Sequence, residues 1–126
     1  MNKIRILLAD DHKDFRSILA SFLRSLEGVE LVGEASDDKE AVWKSEQLRP
    51  DLVLMDVHSH EGNGFEAMKT IKIRRPATKV IAMSPDPSEA YKRLSQMFAD
   101  GYITKSAMKD NLLSLIADEN DRISKS

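Results

Sequence analysis

Residues 4–11 read IRILLADD, an apolar run rich in branched side chains that stops on two adjacent carboxylates, Asp10 and Asp11. Three later runs stop in the same way: LVLM (52–55) on Asp56, KVIAM (79–83) on Ser84, and GYIT (101–104) on Lys105. Short, continuous apolar runs suit strands covered on both faces of a sheet. In an open parallel sheet the carboxyl ends of the strands face one crevice. Three carboxylates, a hydroxyl and an ammonium group are therefore expected to share a pocket.

Working outward from these runs, each is followed by a helical pattern. After Ala9, Phe15, Ile18, Leu19, Phe22, Leu23 and Leu26 recur on one helical face, and Gly28 ends that helix. Residues 29–35 form a further strand, and Ala41, Val42, Ser45 and Leu48 mark a weaker helix ending before Pro50. Phe65, Met68 and Ile71 follow the third strand; Ala90, Leu94, Met97 and Phe98 the fourth; Met108, Leu112, Leu115 and Ile116 the fifth. Five βα units imply right-handed crossovers and helices on both faces of a parallel sheet. The expected fold is α/β, a flavodoxin-like (βα)5 doubly wound sandwich with strand order 2-1-3-4-5. The whole of 1–126 is read as one domain, with about 118–126 as a polar tail or the start of a linker.

The composition narrows the function. A chain of 126 residues, 41% hydrophobic and 32% charged, has material for one core. A net charge of −2 gives no cationic field, so direct nucleic-acid binding by this chain is not expected. Without cysteine there is no disulfide, thiolate metal site or cysteine nucleophile. The first apolar run is too short for a signal-peptide core or a membrane span, so a cytoplasmic protein is expected.

Asp10, Asp11 and Asp56, crowded together, repel one another unless a cation sits among them. Oxygen ligands favour a hard ion, and Mg2+ suits one or two carboxylates while leaving positions for a phosphate. Lys105 supplies a fixed charge able to pair with Asp56 at rest and with phosphoryl oxygens during transfer, and Ser84 a hydrogen-bond donor to the same oxygens. Asp56 is the candidate nucleophile.

With these residues in place, ILLADDH, PDLVLMD, the Asn63-Gly64 pair and ADGYITKSA resemble the receiver domains of two-component response regulators, in particular the LuxR/NarL-type subgroup. The resemblance covers nearly the entire chain. It implies that Asp56 accepts a phosphoryl group from a sensor histidine kinase or phosphotransfer protein, that Asp11 ligates Mg2+ directly and Asp10 through water, and that the backbone carbonyl of His58 completes the metal shell. It further implies that Ser84 and Tyr102 are a switch pair, and that helix four, strand five and helix five change surface on phosphorylation, with a homodimer as one outcome. Members of the subgroup often carry a DNA-binding output domain for transcription regulation, which a longer parent protein would supply. Such a domain catalyses only its own phosphorylation and dephosphorylation.

The pattern is broken in places. His58, Ser59 and His60 stand where the family usually has a small or amide residue and then a proline, and Pro85 follows Ser84 where a small residue is usual. His58 and Asp86 fall where the family tunes loss of the phosphoryl group, so an altered acyl-phosphate lifetime is expected, testable with His58→Asn and Asp86→Ala.

Plainer explanations exist for each residue. Asp10 and Asp11 would serve as helix caps, Asp56 as a turn residue, Lys105 as a surface lysine, and Tyr102 as an ordinary half-buried ring. The His58/His60 pair lacks further ligands for a zinc or nickel site. Lys69, Lys72, Arg74 and Arg75 read as the solvated face of helix three, and Trp43 lies off its helix's apolar stripe. Two rival functions remain. One is a receiver-fold interaction module that works without phosphorylation. The other is a small-molecule phosphatase, disfavoured because Asp10 and Asp11 are adjacent rather than spaced as DxD and no cap domain encloses a substrate.

Overall fold

The computed structural model describes residues 3–57, 64–85 and 89–125. Its elements run β1 (Ile4–Ala9), α1 (Lys13–Ser25), β2 (Val29–Ala35), α2 (Asp38–Leu48), β3 (Leu52–Asp56), α3 (Gly64–Arg74), β4 (Lys79–Ser84), α4 (Glu89–Phe98), β5 (Gly101–Thr104), a 3-10 turn (Lys105–Ala107) and α5 (Met108–Lys125). All strand pairs are parallel, in the order β2-β1-β3-β4-β5. This is the flavodoxin-like order expected from the alternation of elements. Connections leave β1 toward β2 on one side and β3 toward β4 on the other, so the crevice at the switch point opens between the ends of β1 and β3.

Period-two alternation along the strands divides the core between the two faces. Ile4, Ile6 and Leu8 of β1, Leu54 of β3 and Met83 of β4 pack with Leu19 and Leu23 of α1 and Leu112 of α5. On the other face Leu7, Val53, Met55 and Val80 pack with Ala41 of α2 and Phe65, Met68 and Ile71 of α3. Each fully buried branched side chain contributes about 1.5–3 kcal/mol, which holds the strand ends rigidly in place.

Local chemistry sets the boundaries. Gly28, at φ +81°, makes the left-handed turn from α1 into β2. Asp37 caps α2 by accepting the Glu40 amide at 2.7 Å, and Glu40 Oε1 accepts the Ser36 amide at 2.9 Å. Arg49 closes α2 in a left-handed conformation (φ 50°), just before Pro50.

Three expectations differ from the structure. Residues 118–125 continue α5 instead of forming a tail: Glu119 is buried and takes the Arg122 guanidinium at 2.6 and 2.5 Å, while Ile123 packs on the core. In α4 the apolar residues are out of phase with the packing, since Met97 is 72% exposed and Ser95 is buried. In α1, Ile18 points outward although it lies on the apolar stripe.

Candidate functional site

Register brings the acidic residues together. Ala9 pairs with Met55 and Asp56 with Met83, so the residues that follow β1 and end β3 emerge side by side. The Asp10 amide donates to the Ala35 carbonyl at 3.0 Å, and Arg16 Nη1 donates to the Asp10 carbonyl at 2.7 Å. Arg16 is itself held by Glu34. The Val57 amide donates to the Met83 carbonyl at 2.9 Å, fixing the exit from β3. Gly64 is required beside it: a Cβ there would lie 3.0 Å from the Asp56 carbonyl oxygen and 3.2 Å from Val57 Cα.

Lys105, immediately after β5, reaches across the sheet ends. Its Nζ lies 2.7 Å from Asp10 Oδ2 and 3.3 Å from Asp56 Oδ2, with the Phe15 ring centroid at 4.2 Å. The lysine thus bridges two carboxylates and sits closer to Asp10 than to Asp56, the residue it was expected to pair with at rest. Asp10 and Asp56 are both buried. Charges so placed are strongly coupled because solvent screens them little.

The residue that sequence reasoning missed is His12. Its Nδ1 lies 3.0 Å from Asp10 Oδ1, 3.1 Å from Asp11 Oδ1 and 3.1 Å from Asp56 Oδ2. The hydrogen bond to Asp10 holds its pKa above the ordinary histidine value, assisted by the Asp10 and Asp11 charges and opposed by burial and by Lys105. The only signal in the sequence was its place directly after the acidic pair. His12 is also the N-cap of α1, without a side-chain cap bond, and Asp10 Oδ1 accepts the His12 amide at 2.8 Å. Asp10 thus accepts one backbone amide at the start of α1 while its other oxygen faces Lys105.

Donor atoms of Asp10, Asp11, His12 and Asp56 all lie within 4.8 Å of one another. Carboxylate oxygens at this spacing fit a small, hard divalent cation. Ser84, fully buried at the end of β4, pairs in register with Thr104, and Tyr102 pairs with Ala82. Two residues apart in register, Ser84 and Tyr102 lie on the same face of the sheet. Asn63, His58, His60 and Asp86 lie outside the described residues. Pro85 is exposed, and so is Trp43.

A groove of about 290 Å³ adjoins the cleft, lined by Phe15, Ile18 and Phe22 of α1 and by Lys105, Met108 and Asp110. Ile18, 65% exposed, forms its apolar rim. Among the described residues no helix is long and apolar enough to cross a membrane.

Known proteins resemble this chain in sequence and fold. The family described as "Response regulator receiver domain" matches residues 6–117. The response regulator protein VraR of Staphylococcus epidermidis is 33% identical over 115 residues, covering 90% of this chain and 54% of VraR. The response regulator GacA of Pseudomonas viridiflava is 36% identical over 105 residues, covering 82% of this chain and 49% of GacA. The chain therefore spans about half the length of these relatives. Among solved structures, a LuxR-family two-component response regulator from Aurantimonas superposes with a TM-score of 0.84 at 27% identity, covering 93% of this chain and 87% of that one. A family match over nearly the full length, on a fold that gathers the acidic residues at its switch point, makes this chain a member of the response regulator receiver domain family.

Proposed function

We propose that the chain is a phosphorylation-dependent signalling switch in which Asp56 accepts a phosphoryl group from a phosphohistidine on a sensor histidine kinase or phosphotransfer protein. The observation that carries this reading is the position of Lys105 Nζ, 2.7 Å from Asp10 and 3.3 Å from Asp56, at the mouth of a cleft lined by three carboxylates. An Asp56 oxygen attacks phosphorus as the bond to the donor's imidazole nitrogen breaks, giving an acyl phosphate and a free imidazole. Asp10, Asp11, Asp56 and the backbone carbonyl of His58 would hold Mg2+, which receiver domains bind at an acidic pocket and which neutralises charge on the phosphoryl oxygens.

The chain's own residues supply the rest. Lys105 exchanges its contact with Asp56 for one with a phosphoryl oxygen, keeping its ammonium paired throughout. The Ser84 hydroxyl donates to another oxygen, and the Tyr102 ring, on the same face, fills the space that the serine's movement opens. Phosphorylation adds nearly two negative charges, and charge-assisted hydrogen bonds of about 1.5–3 kcal/mol each are enough to bias a two-state element. A shift of about 3 kcal/mol changes its populations more than a hundredfold. The surface of α4, β5 and α5 carries the change, to a second copy or to an output domain in a parent of the relatives' length. The apolar groove beside Lys105 suits the donor protein, because a partner seated on Ile18 and Phe22 brings its phosphohistidine to the cleft. A kinase donor places the protein in the cytoplasm. The chain acts on itself and is not a turnover enzyme.

The test is incubation with acetyl phosphate and Mg2+ followed by intact mass. The expected result is a gain of one phosphoryl mass that disappears in Asp56→Asn and in the presence of a chelator. No gain in the native chain favours an interaction module that works without phosphorylation, a reading motivated by Pro85 directly after Ser84.

A further inference from the structure

The reading of the acidic cleft as a divalent-cation site underlies a second question, namely what a histidine is doing at its centre. A single Nδ1–H aligns well with one acceptor, since hydrogen bonds weaken steeply as they bend. Nδ1 of His12 nevertheless lies at nearly equal distances, 3.0, 3.1 and 3.1 Å, from oxygens of three different carboxylates. Without metal these are hydrogen bonds and an ion pair of the ring, and the same convergence would let the ring nitrogen and the carboxylates share one small cation. Neighbouring vertices of an octahedral shell with metal–ligand distances of about 2.1 Å are about 3.0 Å apart, and opposite vertices about 4.2 Å. The three distances from Nδ1 match neighbouring vertices, and the four donor atoms, all within 4.8 Å of one another, need only draw together by a few tenths of an ångström to close such a shell. The backbone supports the placement, because His12 is the N-cap of α1 and its amide is tied to Asp10 Oδ1 at 2.8 Å, which turns the ring toward the carboxylates.

We propose that His12 supplies an inner-sphere nitrogen ligand through Nδ1, making this a mixed nitrogen and oxygen site that discriminates in favour of first-row transition-metal dications over Mg2+. Imidazole suits Ni2+ and Zn2+, and a site of carboxylates and water alone suits Mg2+ and Mn2+. Losing the nitrogen therefore weakens Ni2+ far more than Mg2+. The proposal assigns no new role to Asp56, Lys105 or Ser84.

Two measurements test it, both at a pH well above the histidine range so that metal does not compete with a proton on the ring. With Mn2+ bound to the full chain, electron spin echo modulation should show a directly coordinated imidazole nitrogen, absent in His12→Ala. Calorimetric titrations of Ni2+ and Mg2+ should show the Ni2+/Mg2+ affinity ratio falling about 10-fold or more in His12→Ala and in the amide variant His12→Gln. A nitrogen signal that persists in His12→Ala assigns the ligand to another histidine and overturns the proposal. So does a variant in which both metals bind more tightly by the same factor, because the ring is then an obstacle. If the proposal fails in either way while Mg2+ still supports Asp56-dependent phosphorylation by acetyl phosphate, the functional reading survives. If the native chain binds neither metal, both fall together.

Discussion

Replacing Asp11 by asparagine should stabilise the metal-free protein and remove most of its response to Mg2+. Carboxylate oxygens of Asp10, Asp11 and Asp56 lie within 4.8 Å of one another. At an effective dielectric constant of about 20, two unit charges at that distance repel by about 3.5 kcal/mol. Asp11 takes part in two such pairs, while the fixed ammonium of Lys105 is already engaged by Asp10 and Asp56. Solvent at Asp11, its 3.1 Å contact with His12 Nδ1 and residual attraction to Lys105 offset most of the repulsion, leaving a net gain of about 1 kcal/mol in Asp11→Asn. For a domain of this size that raises the melting temperature by about 4 °C. The assay is thermal unfolding near pH 8 in a chelator, repeated with Mg2+. Magnesium at about 100 times its dissociation constant should stabilise the native chain by about 2.7 kcal/mol and the variant by little. A lower melting temperature for Asp11→Asn in chelator, or an undiminished response to Mg2+, would refute the reasoning.

Further expectations follow from the same geometry. Lys105→Met leaves two buried carboxylates facing each other and should lower stability by about 3 kcal/mol in urea denaturation, with Asp10→Asn in the same chain restoring at least half of the loss. Gly64→Ala drives a Cβ against the Asp56 carbonyl and Val57 Cα and should lose about 1–3 kcal/mol. It should also weaken Mg2+ binding measured by calorimetry, whereas Gly33→Ala, opposed at 2.8 Å only by the flexible end of the Leu48 side chain, should leave Mg2+ binding unchanged. The pKa of His12 is raised on folding, chiefly by its hydrogen bond to Asp10, so the stability it gives the metal-free protein is full below pH about 6.5 and is lost as pH rises through the higher folded value. Urea denaturation of the native chain and of His12→Asn in chelator should accordingly differ most at low pH and converge as pH rises.

Much of the architecture was legible because strands buried on both faces announce themselves as unbroken apolar runs. Each run here ends on a polar residue that the topology sends to one crevice. Asp10, Asp11, Asp56 and Lys105 converge for that reason alone. His12 escaped because a lone histidine in a loop has no periodicity, and its meaning depends on the turn that carries it back over the carboxylates. The phase of α4 was misjudged because Leu94 and Met97 outweigh Ser95 in hydrophobicity, yet Ser95 is the residue that faces inward. Polarity suggested a tail after residue 117, where the pairing of Arg122 with buried Glu119 and the anchoring of Ile123 keep the helix intact. Hydrophobic pattern locates elements, but pairing between charged side chains one turn apart is invisible to it.

The most direct test of the central claim is reductive trapping of the phosphorylated chain. After treatment with acetyl phosphate and Mg2+, borohydride cleaves an acyl phosphate to an alcohol, and peptide mass spectrometry locates the product. The account predicts homoserine at position 56, dependent on Mg2+ and abolished by Asp56→Asn. Homoserine at position 10 or 11, or none at any aspartate despite bound metal, would contradict it.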